Sequence, residues 1–99
     1  MRLIRYQTKP GQSAANTRLV HAVYAELHRT NPAGLSYATF RLADQVTFFH
    51  FVSAEQSPNP LLSVPAFGEF QAGIAERCAV APVNEEITEV GSYRFFATG

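Results

Sequence analysis

Residues 35–42 read LSYATFRL, residues 43–45 read ADQ, and residues 46–53 read VTFFHFVS. Two strands joined by a tight turn fit this stretch best. Side chains alternate across a strand, so Val46, Phe48, His50 and Val52 share one face and Thr47, Phe49, Phe51 and Ser53 the other. Both faces carry large apolar groups, as in a central strand covered on both sides. A buried helical segment is the alternative, and the short length, the Phe and Val content and the adjoining turn argue against it. A three-residue connection aligns Phe40 with Phe48 and Ala38 with His50. A two-residue connection shifts the register by one and exchanges the facings. We adopt the three-residue pairing, which places Tyr37 and Thr39 beside Phe49 and Phe51.

Outward from this hairpin, Arg2–Thr8 forms a first strand that stops at Lys9-Pro10-Gly11. Ile4 and Tyr6 share one of its sides. Residues 13–30 form the clearest helix, with Ser13 as cap and Ala15, Leu19, Ala22, Val23 and Leu27 as its apolar stripe, widened by Val20 and Tyr24. Asn31-Pro32-Ala33-Gly34 ends it. Beyond Ala54, the prolines at 58, 60 and 65 punctuate an irregular segment with one short helical turn over 61–64. Pro65 suits the first turn of a second helix that runs to about Cys78, with Phe67, Phe70 and Ile74 on one face. Residues 79–84 read as a linker and residues 86–96 as the last strand. The order is β-α-β-β-α-β within one domain spanning 1–99. This is a ferredoxin-like α+β fold, a four-stranded antiparallel sheet with two helices on one face.

The 99 residues carry eight basic and eight acidic side chains, 46% hydrophobic residues and only 16% charged ones, with eight Phe and four Tyr. So little charge on so small a domain favours an oligomer that withdraws apolar surface from water. Dispersed basic residues and zero net charge argue against a nucleic-acid partner. Cys78 stands alone, so no internal disulfide framework exists. The first residues lack the apolar run of a signal peptide, and no segment is long enough to span a bilayer. A soluble cytoplasmic protein is the expectation.

The strand FFHFVSAE, its irregular exit and the helix opening near PAFGEFQAGIAE resemble the antibiotic biosynthesis monooxygenase-like family of dimeric α/β barrels. The resemblance extends over about residues 2–96 and its motifs are loose. It implies a homodimer with two sheets packed back to back, and a pocket between each sheet and its own helices. Some members are cofactor-independent oxygenases of electron-rich aromatic or quinol compounds, and others degrade haem. Characterised members often use an indole, whereas this chain has no Trp, so no catalytic residue is carried over.

From the residues themselves, His50 is the strongest polar candidate. Set among Phe48, Phe49, Phe51 and Val52, it is expected to be buried and neutral, either a base for a phenolic ligand or a hydrogen-bonded core histidine. Tyr6, Phe48, Phe67, Phe70, Tyr93 and Arg94 are the expected ligand contacts, and Tyr37 is a further candidate neighbour of His50. Tyr37, Thr39, Phe49 and Phe51 are the expected dimer face. No metal-ligand spacing, phosphate loop or nucleophile elbow occurs. A small aromatic or quinone-like compound, handled without metal or flavin, is the expected ligand. A non-catalytic ligand-binding or structural dimer is the rival reading.

Overall fold

The computed structural model describes residues 1–95. β1 (Arg2–Thr8), α1 (Ser13–Thr30), β2 (Leu35–Arg41), β3 (Thr47–Ala54), a 3-10 turn (Pro60–Ser63), α2 (Pro65–Ala72), α3 (Ile74–Arg77) and β4 (Cys78–Glu86) follow one another. The strands form one antiparallel sheet in the order β2-β3-β1-β4. This is the ferredoxin-like order with helices on one face, as the sequence implied. β3 and β1 are its central strands; the helices cover the Phe48, His50 and Val52 side of β3, and Phe49 and Phe51 lie on the other.

The hairpin register differs from the sequence expectation. Thr39 pairs with His50, Phe40 with Phe49 and Arg41 with Phe48. The chain turns through four residues, with Leu42 N–H donating to the Thr47 carbonyl. Asp44 sets this length. Its carboxylate accepts from the backbone N–H groups of Val46 and Thr47 and from the Thr47 hydroxyl, while Gln45 takes a left-handed conformation at φ 72°. Adding one residue to the assumed turn flips β2 without moving β3. Tyr37 and Thr39 therefore join Phe48, His50 and Val52 beneath the helices, instead of lying on the open face with Phe49 and Phe51.

The last strand also differs. It is β4 at Cys78–Glu86, the stretch read as a linker, and residues 87–95 form no strand. Phe96, the expected strand end, lies outside the described residues. Among the described residues β4 is an edge strand paired with β1, so Pro82 need not donate on its free side. Register shifts on both sides of Gln7 absorb the irregularity. The second helix divides at Gly73 into α2 and α3.

α1 has the expected span, but its buried line is Asn16, Val20 and Val23, while Ala22 is exposed. Ser13 does not cap it. Its hydroxyl instead donates to the Gln45 carbonyl, tying the helix start to the β2–β3 turn. The helix ends at Asn31, whose left-handed backbone returns an N–H to the Leu27 carbonyl. Pro65 occupies the first turn of α2. The core of Tyr6, Val20, Val23, Phe48, Val52, Leu61, Val64, Ala66, Phe70 and Cys78 fills the space between sheet and helices.

Candidate functional site

β1 and β3 each direct alternate residues beneath the helices, and the β1–β3 register sets Ile4 opposite His50 and Tyr6 opposite Phe48. Tyr6, 2% exposed, stacks on Phe48 at 5.4 Å between centroids. Phe70 of α2 closes over both Tyr6 and His50, at 6.3 and 5.4 Å. Tyr37 of β2 stacks on Tyr24 of α1 at 5.2 Å and meets the edge of Phe67. An apolar pocket with a polar inner wall results. Its volume is about 240 Å³, and Tyr6, Tyr37, His50, Leu61, Phe67 and Phe70 are among its lining residues. At its mouth Arg2 Nε donates to Asn84 Oδ1 at 2.8 Å.

The polar wall is one continuous hydrogen-bonded chain. Arg77 Nε lies 3.1 Å from Asn16 Oδ1, Asn16 Nδ2 is 2.7 Å from the Tyr6 hydroxyl, and that hydroxyl is 2.8 Å from His50 Nε2. On the other side of the ring, Nδ1 lies 2.6 Å from the Tyr37 hydroxyl and 3.2 Å from Thr39 Oγ1, and Thr39 meets the Tyr24 hydroxyl at 2.8 Å. Among the described residues no buried side-chain nitrogen or oxygen lacks a partner.

Burial fixes the charge state of this wall. His50, 3% exposed, is pushed down to about 4 by loss of solvent. Desolvation likewise raises the Tyr6 and Tyr37 phenols well above the usual range, although Asn16 opposes it at Tyr6. At neutral pH the ring and both phenols are uncharged. Arg77 is the buried cation. Its guanidinium donates to the Phe70 carbonyl at 2.7 Å and sits 5.2 Å from the Phe70 ring centre. Gly73 makes room for it, since a Cβ there would lie 2.8 Å from Arg77 Nη1.

The candidate residues from the sequence divide into two groups. His50, Tyr6, Phe67 and Phe70 converge on the pocket, and Tyr37 joins them from the flipped β2. Phe48 is buried behind Tyr6 and lines a separate shallow recess between α1 and β2. Tyr93 is 81% exposed, with Arg94 over its ring at 5.1 Å, and neither lines the pocket. Thr39 contacts His50 and does not lie on the open face; Phe49 and Phe51 remain on that face. Sequence alone leaves the facing of Asn16 open and reads Arg77 as outward, so it places neither at the site. The signal for Asn16 was its spacing from Val20 and Val23. None marked Arg77, which reads as an ordinary helix-end cation. Among the described residues no group of three or more His, Cys, Asp and Glu side chains is arranged to hold a metal ion.

The sequence matches no protein-family model and no curated protein. Its fold is similar to solved structures. A candidate antibiotic biosynthesis monooxygenase from Nitrosomonas europaea superposes with a TM-score of 0.74 at 10% identity, over 91% of this chain and 97% of that one. Another candidate of this kind, from Bacteroides thetaiotaomicron, gives 0.72 at 13% identity, over 90% and 87%. SnoaB, a cofactor-independent oxygenase from Streptomyces nogalater, gives 0.62 at 12% identity, over 90% and 92%. At these identities the likeness is one of fold, and the fold of the single chain is the ferredoxin-like one that the sequence resemblance implied.

Proposed function

We propose that the pocket binds a small aromatic or quinone-like compound and that the protein acts on it as an oxygenase without metal or flavin. The observation that carries this reading is the pairing of apolar walls with a buried polar end built from His50, Tyr6 and Tyr37, while Arg2, Asn59, Gln71 and Asn84 make up the rest of the polar lining. A volume of about 240 Å³ falls below the roughly 300–1,000 Å³ of drug-sized sites, so one ring or a fused pair fits. Phe67 and Phe70 stack on each other at 6.0 Å and offer a ring-binding wall. Tyr37, backed by His50, orients a ligand oxygen. A ligand that enters as its monoanion, its proton already lost to solvent, is held by the Tyr37 hydroxyl; this electron-rich ring adds dioxygen at a ring carbon and supplies the electrons that reduce it. The similarity of fold to a cofactor-independent oxygenase supports the same reading.

A second reading, ligand binding without turnover, is favoured by the occupancy of His50, since a tyrosine hydroxyl holds each ring nitrogen. His50 acts on a ligand proton only through Tyr6 or Tyr37. Oxygen uptake with 1,4-dihydroxynaphthalene separates the two readings. Uptake above the protein-free rate, lost in Tyr37→Phe, is the expected result. Saturable binding with no added uptake favours the second reading.

The assembly we propose is a homodimer through the sheet face away from the helices. Cross-strand rows on that face run Phe40–Phe49–Arg5–Val83 and Ala38–Phe51–Leu3–Glu85. Phe51 meets Phe40 edge to face at 5.8 Å. Withdrawing the part of each aromatic that is still exposed contributes about 1 kcal/mol or less, offset in part by the entropy of association. Solution mass at micromolar concentration is expected to be that of two chains for the wild type and one for Phe51→Asp. A monodisperse wild-type monomer contradicts the dimer.

A further inference from the structure

The chain of hydrogen bonds from Arg77 to Tyr37 has a direction. A guanidinium only donates, so the Asn16 atom facing Arg77 Nε is the amide oxygen and Nδ2 faces Tyr6. The Tyr6 oxygen accepts that N–H, and its own proton goes to His50 Nε2 at 2.8 Å. Nε2 is then bare, so the neutral imidazole carries its proton on Nδ1 and donates it to the Tyr37 oxygen at 2.6 Å. The Tyr37 proton is left for a ligand in the pocket or, without one, for Thr39. If Tyr6 accepted from both Asn16 and His50, its own proton would be buried without an acceptor, since Tyr6 is 2% exposed. The same heavy atoms permit one other arrangement in which these buried protons all find acceptors. With the Asn16 amide turned over, Tyr6 donates to Asn16, His50 Nε2–H donates to Tyr6, and Tyr37 donates to Nδ1. Arg77 forbids it, because its Nε–H would then face an amide N–H inside the core.

We propose that Arg77 and Asn16 are positioning residues that hold His50 as the Nδ1–H tautomer and so make Tyr37 a hydrogen-bond donor to the pocket. The ligands selected present an acceptor oxygen, such as a quinone carbonyl or a phenolate, over those whose only polar group is a donor. This consequence rests on the pocket being the binding site, whereas the tautomer does not. Asn16→Asp tests the direction with little change of shape. A carboxylate accepts from Arg77 on one oxygen and from Tyr6 on the other, which reverses every later bond.

The experiment is long-range proton–nitrogen NMR of the ligand-free protein at pH 8, where protonated and bare ring nitrogens separate. His50 is expected to have a bare Nε2 in the wild type and a protonated Nε2 in Asn16→Asp. Arg77→Met, which frees the amide to turn, is expected to show Nε2–H in part of the population. A protonated Nε2 in the wild type overturns the proposal. So does a bare Nε2 in either folded variant, because a purely structural Asn16 or Arg77 would lower the melting temperature and leave the tautomer alone.

Discussion

Tyr6→Phe is expected to destabilise the protein by about 2–6 kcal/mol, although the substitution removes a single oxygen. That oxygen accepts from Asn16 and is bonded to His50 Nε2 in a fully buried setting. Its loss strands two polar groups at once, each costing about 1–3 kcal/mol when buried without a partner. The ring itself is kept, and with it the stack on Phe48, so little of the cost comes from packing. Tyr24→Phe is the matched control. Its hydroxyl meets Thr39 in a partly exposed position, and its removal is expected to cost about 1 kcal/mol or less. Urea unfolding of the two variants reads the difference directly. A cost below about 1 kcal/mol for Tyr6→Phe would mean that the buried chain does not hold the core together.

Acid is expected to destabilise the fold through His50. Burial lowers this histidine to about 4 in the folded state, from an ordinary value of 6.5. Between these two values the unfolded chain binds a proton that the folded chain does not. Stability is therefore full above about pH 7, falls as pH drops through 6.5, and levels off below about 4. At about 1.4 kcal/mol per pH unit, the loss over this window is on the order of 3 kcal/mol. Comparing the pH dependence of wild type and His50→Gln by urea unfolding isolates this histidine, because carboxylates such as Asp44 contribute to both. A flatter profile for His50→Gln between pH 7 and 4 is the expected result. Parallel profiles would mean that His50 is solvated in the folded protein.

The fold was legible because its signals are local. A short run rich in Phe and Val beside a turn marked β3, the stop at Lys9-Pro10-Gly11 bounded β1, and a long stripe ending at Asn-Pro marked α1, whose span agrees with the structure. The errors lie where a tertiary contact decides. Asp44 lengthens the hairpin turn by one residue, and that residue moved Tyr37 from the expected dimer face into the pocket. β4 was hidden by Pro82, which reads as a break unless the strand is known to be at an edge. The site was half visible. Tyr6 and His50 share a facing that alternation gives, and Phe67 and Phe70 share a helix face. Asn16 and Arg77 are polar residues on helices, where polarity ordinarily signals solvent. Only the folded chain brings them together, 61 positions apart in sequence.

The pocket itself is tested most directly by titrating 1,4-naphthoquinone into the isotope-labelled protein and following its backbone and ring resonances. Saturable shifts centred on Tyr37, His50, Phe67 and Phe70, absent from Phe49 and Phe51 on the opposite face, are the expected result. No shift at saturating ligand, or shifts confined to the open sheet face, would contradict a ligand site between the sheet and its helices.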